Sequence, residues 1–138
     1  MTGIVVVTHR QLGEALLDAA KFILGKPVEN ALAVSVDLNE CADKLRKDVA
    51  AAIRKVNCDR GVLVLTDMFG GTPSNLAYSL MEEGKVEVLT GANLPLLIRA
   101  DSLRKKLALP ELARELEDYG KKSICLASGM LRGNKRTG

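Results

Sequence analysis

Tryptophan is missing from this 138-residue chain, and Tyr and Phe occur only twice each. A core must therefore be built from Val, Leu, Ile and Ala. A nucleic-acid surface of stacking aromatics between basic residues is excluded with it. The three cysteines, Cys41, Cys58 and Cys125, are odd in number and form no CxxC pair. That excludes a disulfide framework and a zinc site, and it suits a reducing cytoplasm. With His9 as the single histidine, a His-rich metal centre is also excluded. No apolar run reaches the roughly 18 residues of a membrane span, and Met1–Val7 has neither the basic start nor the long apolar stretch of a secretory signal. GxGxxG, Walker and GxSxG fingerprints are absent, which argues against a dinucleotide site, a P-loop and a serine hydrolase. The net charge of +3, from 20 basic and 17 acidic residues, is too mild to imply a polyanionic partner. The basic residues gather at Arg104, Lys105 and Lys106, read as a solvated face, and at Arg132, Lys135 and Arg136, read as a loose tail.

What is present is one domain, expected over residues 1–128 with a tail from 129 to 138. Ile4–Val7 is a short β-branched run that predicts a buried strand. Leu12, Ala15, Leu16, Ala19 and Ile23 recur at helical spacing before Gly25 and Pro27 end the pattern. Ala31–Val36 predicts a second strand. Asn39 is a candidate N-cap for a helix burying Ala42, Leu45, Val49, Ala52, Ile53 and Val56. Val62–Leu65 predicts a third strand. After it, Thr72 fits an N-cap and Pro73 the first helical position. Val86–Thr90 is the fourth strand, followed by a helix from near Leu94 and another from Pro110 to Gly120. Ser123–Ala127 predicts a short fifth strand. Apolar strands alternating with helices predict an α/β domain, a flavodoxin-like three-layer fold with a mainly parallel sheet of order 2-1-3-4 and a short C-terminal edge strand.

In that order strands 1 and 3 are neighbours whose outgoing helices lie on opposite faces, and ligands bind at such a switch point. His9 follows strand 1 and Asp67 follows strand 3. A carboxylate accepting from Nδ1–H fixes the imidazole tautomer and leaves Nε2 outward as nucleophile or general base. The bland alternatives are a helix-entry histidine and a turn-forming aspartate. Gly70, Gly71 and Thr72 precede a helix whose free N–H groups suit a phosphate, although a tight, well-capped turn has the same residues. Gly91–Pro95 ends strand 4 on the same edge, either as a second wall or as a turn capped by Asn93. These residues suggest a histidine that takes and passes on a phosphoryl group.

Three blocks, Val5–His9, Asp67–Asn75 and Gly91–Pro95, resemble the IIA component of the mannose-family sugar phosphotransferase system over roughly residues 3 to 128. The resemblance implies a cytoplasmic phosphocarrier phosphorylated by HPr on His9, with Asp67 orienting the ring and Gly70, Gly71 and Thr72 at the phosphate. The group would pass to a separate IIB component during sugar uptake, with no cofactor and no metal. Contact with the membrane would be indirect, through the permease complex. It also implies a homodimer that pairs or exchanges the strand at Ser123–Ala127. The family usually has Gly after the histidine. Here Arg10 stands there, a candidate phosphate contact or an obstruction to the partner. The GGTPSN block argues against the related dihydroxyacetone-type domains. Two other readings use the same residues: a regulatory phosphohistidine module without a transport role, and a flavodoxin-like small-molecule binder with no covalent step.

Overall fold

The computed structural model describes residues 1–132, so Lys135 and Arg136, and most of the expected tail, lie outside the described residues. Its elements are β1 (Gly3–His9), α1 (Leu12–Leu24), β2 (Ala31–Val36), α2 (Ala42–Val56), β3 (Val62–Thr66), α3 (Gly71–Tyr78), β4 (Val86–Thr90), α4 (Leu94–Leu103), α5 (Leu109–Lys122) and α6 (Ala127–Leu131). The four strands are all parallel in the order β2-β1-β3-β4, as the alternation of elements predicts.

Side chains alternate across each strand, so the two central strands feed two cores. Val5, Val7, Val62 and Val64 meet α2 and α3 on one face. Ile4, Val6, Leu63 and Leu65 meet α1, α4 and α5 on the other. The helices leaving β1 and β3 therefore lie on opposite faces, and the crevice between them opens at the C-terminal ends of those strands.

Four sequence expectations outside the crevice are corrected. First, α1 does not bury the stripe of Leu12, Ala15, Leu16, Ala19 and Ile23. It turns Gly13 and Ala20 fully inward, and Leu16, Leu17 and Leu24 pack beside them. Leu12, Phe22 and Ile23 are exposed. A helix apolar on most sides has two faces at helical spacing, and backbone approach selects the one with small residues. A Cβ on Gly13 would already stand 3.1 Å from the Val6 carbonyl oxygen. Second, Asn39 does not cap α2. Asp37 Oδ1 takes its backbone N–H at 3.0 Å in a local turn, Cys41 holds the cap position, and Ala42 is exposed.

Third, Ser123–Ala127 is not a strand. A strand exists only with a ladder partner, and among the described residues none lies beside this segment. α5 runs through Gly120 to Lys122, and Ala127 opens α6. Fourth, Arg104 is not part of a solvated basic face. It is buried, donating from Nη1 to the Thr2 carbonyl at 3.0 Å and from Nη2 to the Glu29 carbonyl and to Asp101 Oδ1. It clamps α4 to the N-terminal edge of the sheet, opposite the crevice.

Candidate functional site

Strand register brings together two residues that are 58 positions apart. Val7 pairs with Thr66, so the residue after Thr66 stands level with the end of β1. There Asp67 Oδ2 lies 2.8 Å from Nδ1 of His9 and also accepts the His9 backbone N–H at 2.9 Å. Burial pushes the Asp67 carboxyl up, but the hydrogen bonds from the His9 backbone and ring outweigh it and hold the group below its ordinary value of 3.8. An ionised carboxylate only accepts, so Nδ1 carries a proton, and in the neutral ring Nε2 is then the nitrogen with the lone pair. The Asp67 side chain is 10% exposed and that of His9 38%, so the carboxylate is covered while the ring is open to an incoming molecule.

Nε2 faces the start of α3. A Cβ placed on Gly71 would lie 3.5 Å from Nε2 and 3.3 Å from Cε1, and Gly71 has φ +84. Both the close approach and the left-handed backbone call for glycine. Thr72 is not the N-cap. That position is held by Gly70, with Thr72 and Pro73 inside the first turn, and no side chain caps the helix. Among the described residues no loop carbonyl takes the N–H of Gly71 or Thr72. Uncapped amides at a helix start beside Nε2 are donors for an anion.

Sequence reasoning gave no role to Ser74. Its side chain is fully buried, with Oγ 2.7 Å from Thr66 Oγ1 and donating to the Met68 carbonyl. It ties the end of β3 and the loop carrying Asp67 to α3. The only signal was a small hydroxyl residue just inside a helix start, and many such residues are solvated. The Gly91–Pro95 turn resolves as a cap: Asn93 Oδ1 accepts the Leu96 N–H at 3.0 Å, and the Ala92 N–H reaches the Thr66 carbonyl at 2.9 Å. Arg10 is exposed beside His9 with φ +49. Leu12, Leu38, Met68 and Phe69 are exposed in the segments that follow β1, β2 and β3. Among the described residues no group of three His, Cys, Asp or Glu is placed to hold a metal, and no helix is long and apolar enough to cross a membrane.

Residues 3–117 match the EIIA-man family, described as PTS system fructose IIA component. The chain is similar to the PTS system fructose-specific EIIA component of Bacillus subtilis, 31% identical over 129 residues that cover 93% of this chain and 88% of that one. It is 34% identical over 96 residues to the PTS system mannose-specific EIIAB component of Escherichia coli K12, a match that covers 69% of this chain and 29% of that longer protein. Among solved structures, the phosphotransferase system component EIIA from Streptococcus agalactiae superposes with a TM-score of 0.82 at 25% identity, covering 93% of this chain and 98% of that one. The mannose/sorbose specific IIA subunit from Enterococcus faecalis gives 0.80 at 24% identity, over 91% and 93%.

Proposed function

We propose, since this chain belongs to the EIIA-man family of sugar phosphotransferase-system components, that it is a cytoplasmic phosphocarrier that takes a phosphoryl group from phospho-HPr onto His9 and passes it to a IIB component. The observation that carries this reading is the 2.8 Å contact of Asp67 with Nδ1, which leaves Nε2 free beside the uncapped start of α3. The lone pair of Nε2 forms the new P–N bond as the donor's P–N bond breaks and its electron pair returns to the donor ring. The His9 Nδ1 proton stays on Asp67's side of the ring, and the carboxylate balances the positive charge that develops there. Gly70, Gly71 and Thr72 supply amides, and Thr72 a hydroxyl, for the phosphoryl oxygens. Such transfers depend chiefly on positioning and charge stabilisation. Asp67 is a positioning residue and His9 the nucleophile.

The exposed Leu12, Leu38, Met68 and Phe69 give partner proteins an apolar rim around the ring. Membership of a sugar phosphotransferase family favours a carrier over a free-standing regulatory module. A homodimer through the C-terminal segment is supported by the exposure of Ile124 and Leu126 there. Sedimentation equilibrium should give a dimer that Ile124→Asp with Leu126→Asp converts to monomer, whereas a monomeric parent chain would remove this part of the reading.

The deciding experiment is incubation with phospho-HPr. An acid-labile, base-stable phosphate should appear on the wild type and be absent from His9→Ala. Asp67→Ala should slow its formation roughly 10²-fold or more. Phosphate incorporation in His9→Ala would refute the assignment.

A further inference from the structure

We propose that Arg10 is the charged phosphoryl-binding residue of this site: its guanidinium binds the oxygens of the group carried on Nε2 of His9 and stabilises the phosphorylated state. This rests on the reading of His9 as the phosphoryl acceptor. Three independent observations converge on Arg10.

The first is conformational. Arg10 has φ +49, and only one other non-glycine among the described residues, Asn30, has a positive φ. Asn tolerates that region through its short polar side chain, and Arg has no such excuse. The second is electrostatic. Arg10 lies two residues before α1, at the end of the helix where a positive charge is disfavoured. One residue thus breaks two local rules at once, and such conflicts concentrate where function demands them.

The third is the charge inventory of the crevice. The segments that follow the four strands at this edge are 10–11, 37–41, 67–70 and 91–93. They contain Asp37, Glu40 and Asp67, and Arg10 is their one cation. Asp67 is held by His9, Glu40 pairs with Lys44 at 2.7 Å, and Asp37 Oδ1 takes the Asn39 N–H. The guanidinium of Arg10 has no ion pair or hydrogen bond among the described residues. Its backbone is fixed on both sides, the N–H donating to the Val36 carbonyl at 3.0 Å and the carbonyl accepting from Thr8 Oγ1 at 3.3 Å. The backbone is anchored and the guanidinium is unengaged, so its donors are available to an incoming anion.

A phosphoryl group on Nε2 adds negative charge to a site that already holds the ionised Asp67 across the ring on Nδ1. The start of α3 answers with partial charges only. A guanidinium adds a full charge and a planar fork that matches phosphate geometry.

The test separates holding the phosphate from docking the partner. A residue that only docks HPr changes the forward and reverse rates together and leaves the phosphorylation equilibrium untouched. The full chain is equilibrated with a fixed ratio of phospho-HPr to HPr, and the phosphorylated fraction is measured for wild type, Arg10→Gly and Arg10→Lys. The ratio of phosphorylated to free protein should fall about fivefold to tenfold in Arg10→Gly, the scale of one exposed charge-assisted contact, and recover in part in Arg10→Lys. Arg10→Gly should melt no lower than wild type, so unfolding cannot produce the shift. An unchanged equilibrium in Arg10→Gly, whether or not its rates change, overturns the proposal while leaving the carrier function intact. A wild type that takes no phosphate overturns both.

Discussion

Asp67 accepts twice on one oxygen, Oδ2, while its buried Oδ1 has no partner among the described residues. The carboxylate therefore depends on His9 for the hydrogen bonds that keep it ionised. Its pKa is lowered in the folded protein, so its contribution to stability is present above the ordinary value of 3.8 and is lost as pH falls through the lower folded value. Denaturation measured on acidification should show Asp67→Asn losing less stability than wild type in that window. Ser74 acts one bond further back. Ser74→Ala leaves the Met68 carbonyl and Thr66 Oγ1 without their partner and should cost about 1–3 kcal/mol by urea unfolding. It should also slow phosphoryl transfer, because the loop that aims Asp67 loses its tie. A Ser74→Ala chain with wild-type stability and rate would refute that coupling. His9 and Asp67 were legible in the sequence because each stands at the C-terminal end of an apolar run. Ser74 was not, since its importance lies in Thr66 and Met68, which only the folded loop brings to it.

At the level of elements, α1 shows where pattern alone misleads. Leu12, Ala15, Leu16, Leu17, Ala19, Ala20, Phe22, Ile23 and Leu24 leave only the narrow stripe of Glu14, Asp18 and Lys21 polar, so the spacing supports more than one inward face. Close approach to β1 decides between them through Gly13 and Ala20. Gly13→Ala sets a methyl group 3.1 Å from the Val6 carbonyl and should destabilise by about 1–3 kcal/mol. Phe22→Ser, on the exposed side, should change stability by no more than about 0.5 kcal/mol. Thermal melts of the two variants check the orientation, and the reverse ranking would restore the face that spacing suggested. Strands were easier to read. Ala31–Val36 and Val86–Thr90 appear as the sequence pattern placed them, because β-branched runs bounded by turn residues are local signals.

Across the whole molecule, the two ends of the sheet do different work. The C-terminal edge carries His9, Asp67 and the start of α3. The opposite edge is closed by Arg104, which joins Thr2, Glu29 and Asp101. Removing a buried, paired charge strands its partners, so Arg104→Ala should cost about 3–5 kcal/mol. At temperatures where that variant is folded, its phosphorylation rate should equal that of wild type, since the clamp is remote from Nε2; a selective loss of rate would show that the edges are coupled. The sequence by itself determined the alternation of strands and helices, the order of the sheet and the delivery of His9 and Asp67 to one edge, because these follow from local periodicity and from the handedness of parallel crossovers. The tertiary structure alone decided which side of α1 faces inward, that Arg104 is buried and that Ser123–Ala127 is not a strand. Each of these depends on partners distant in the chain, and their energies exist only once the fold has gathered those partners.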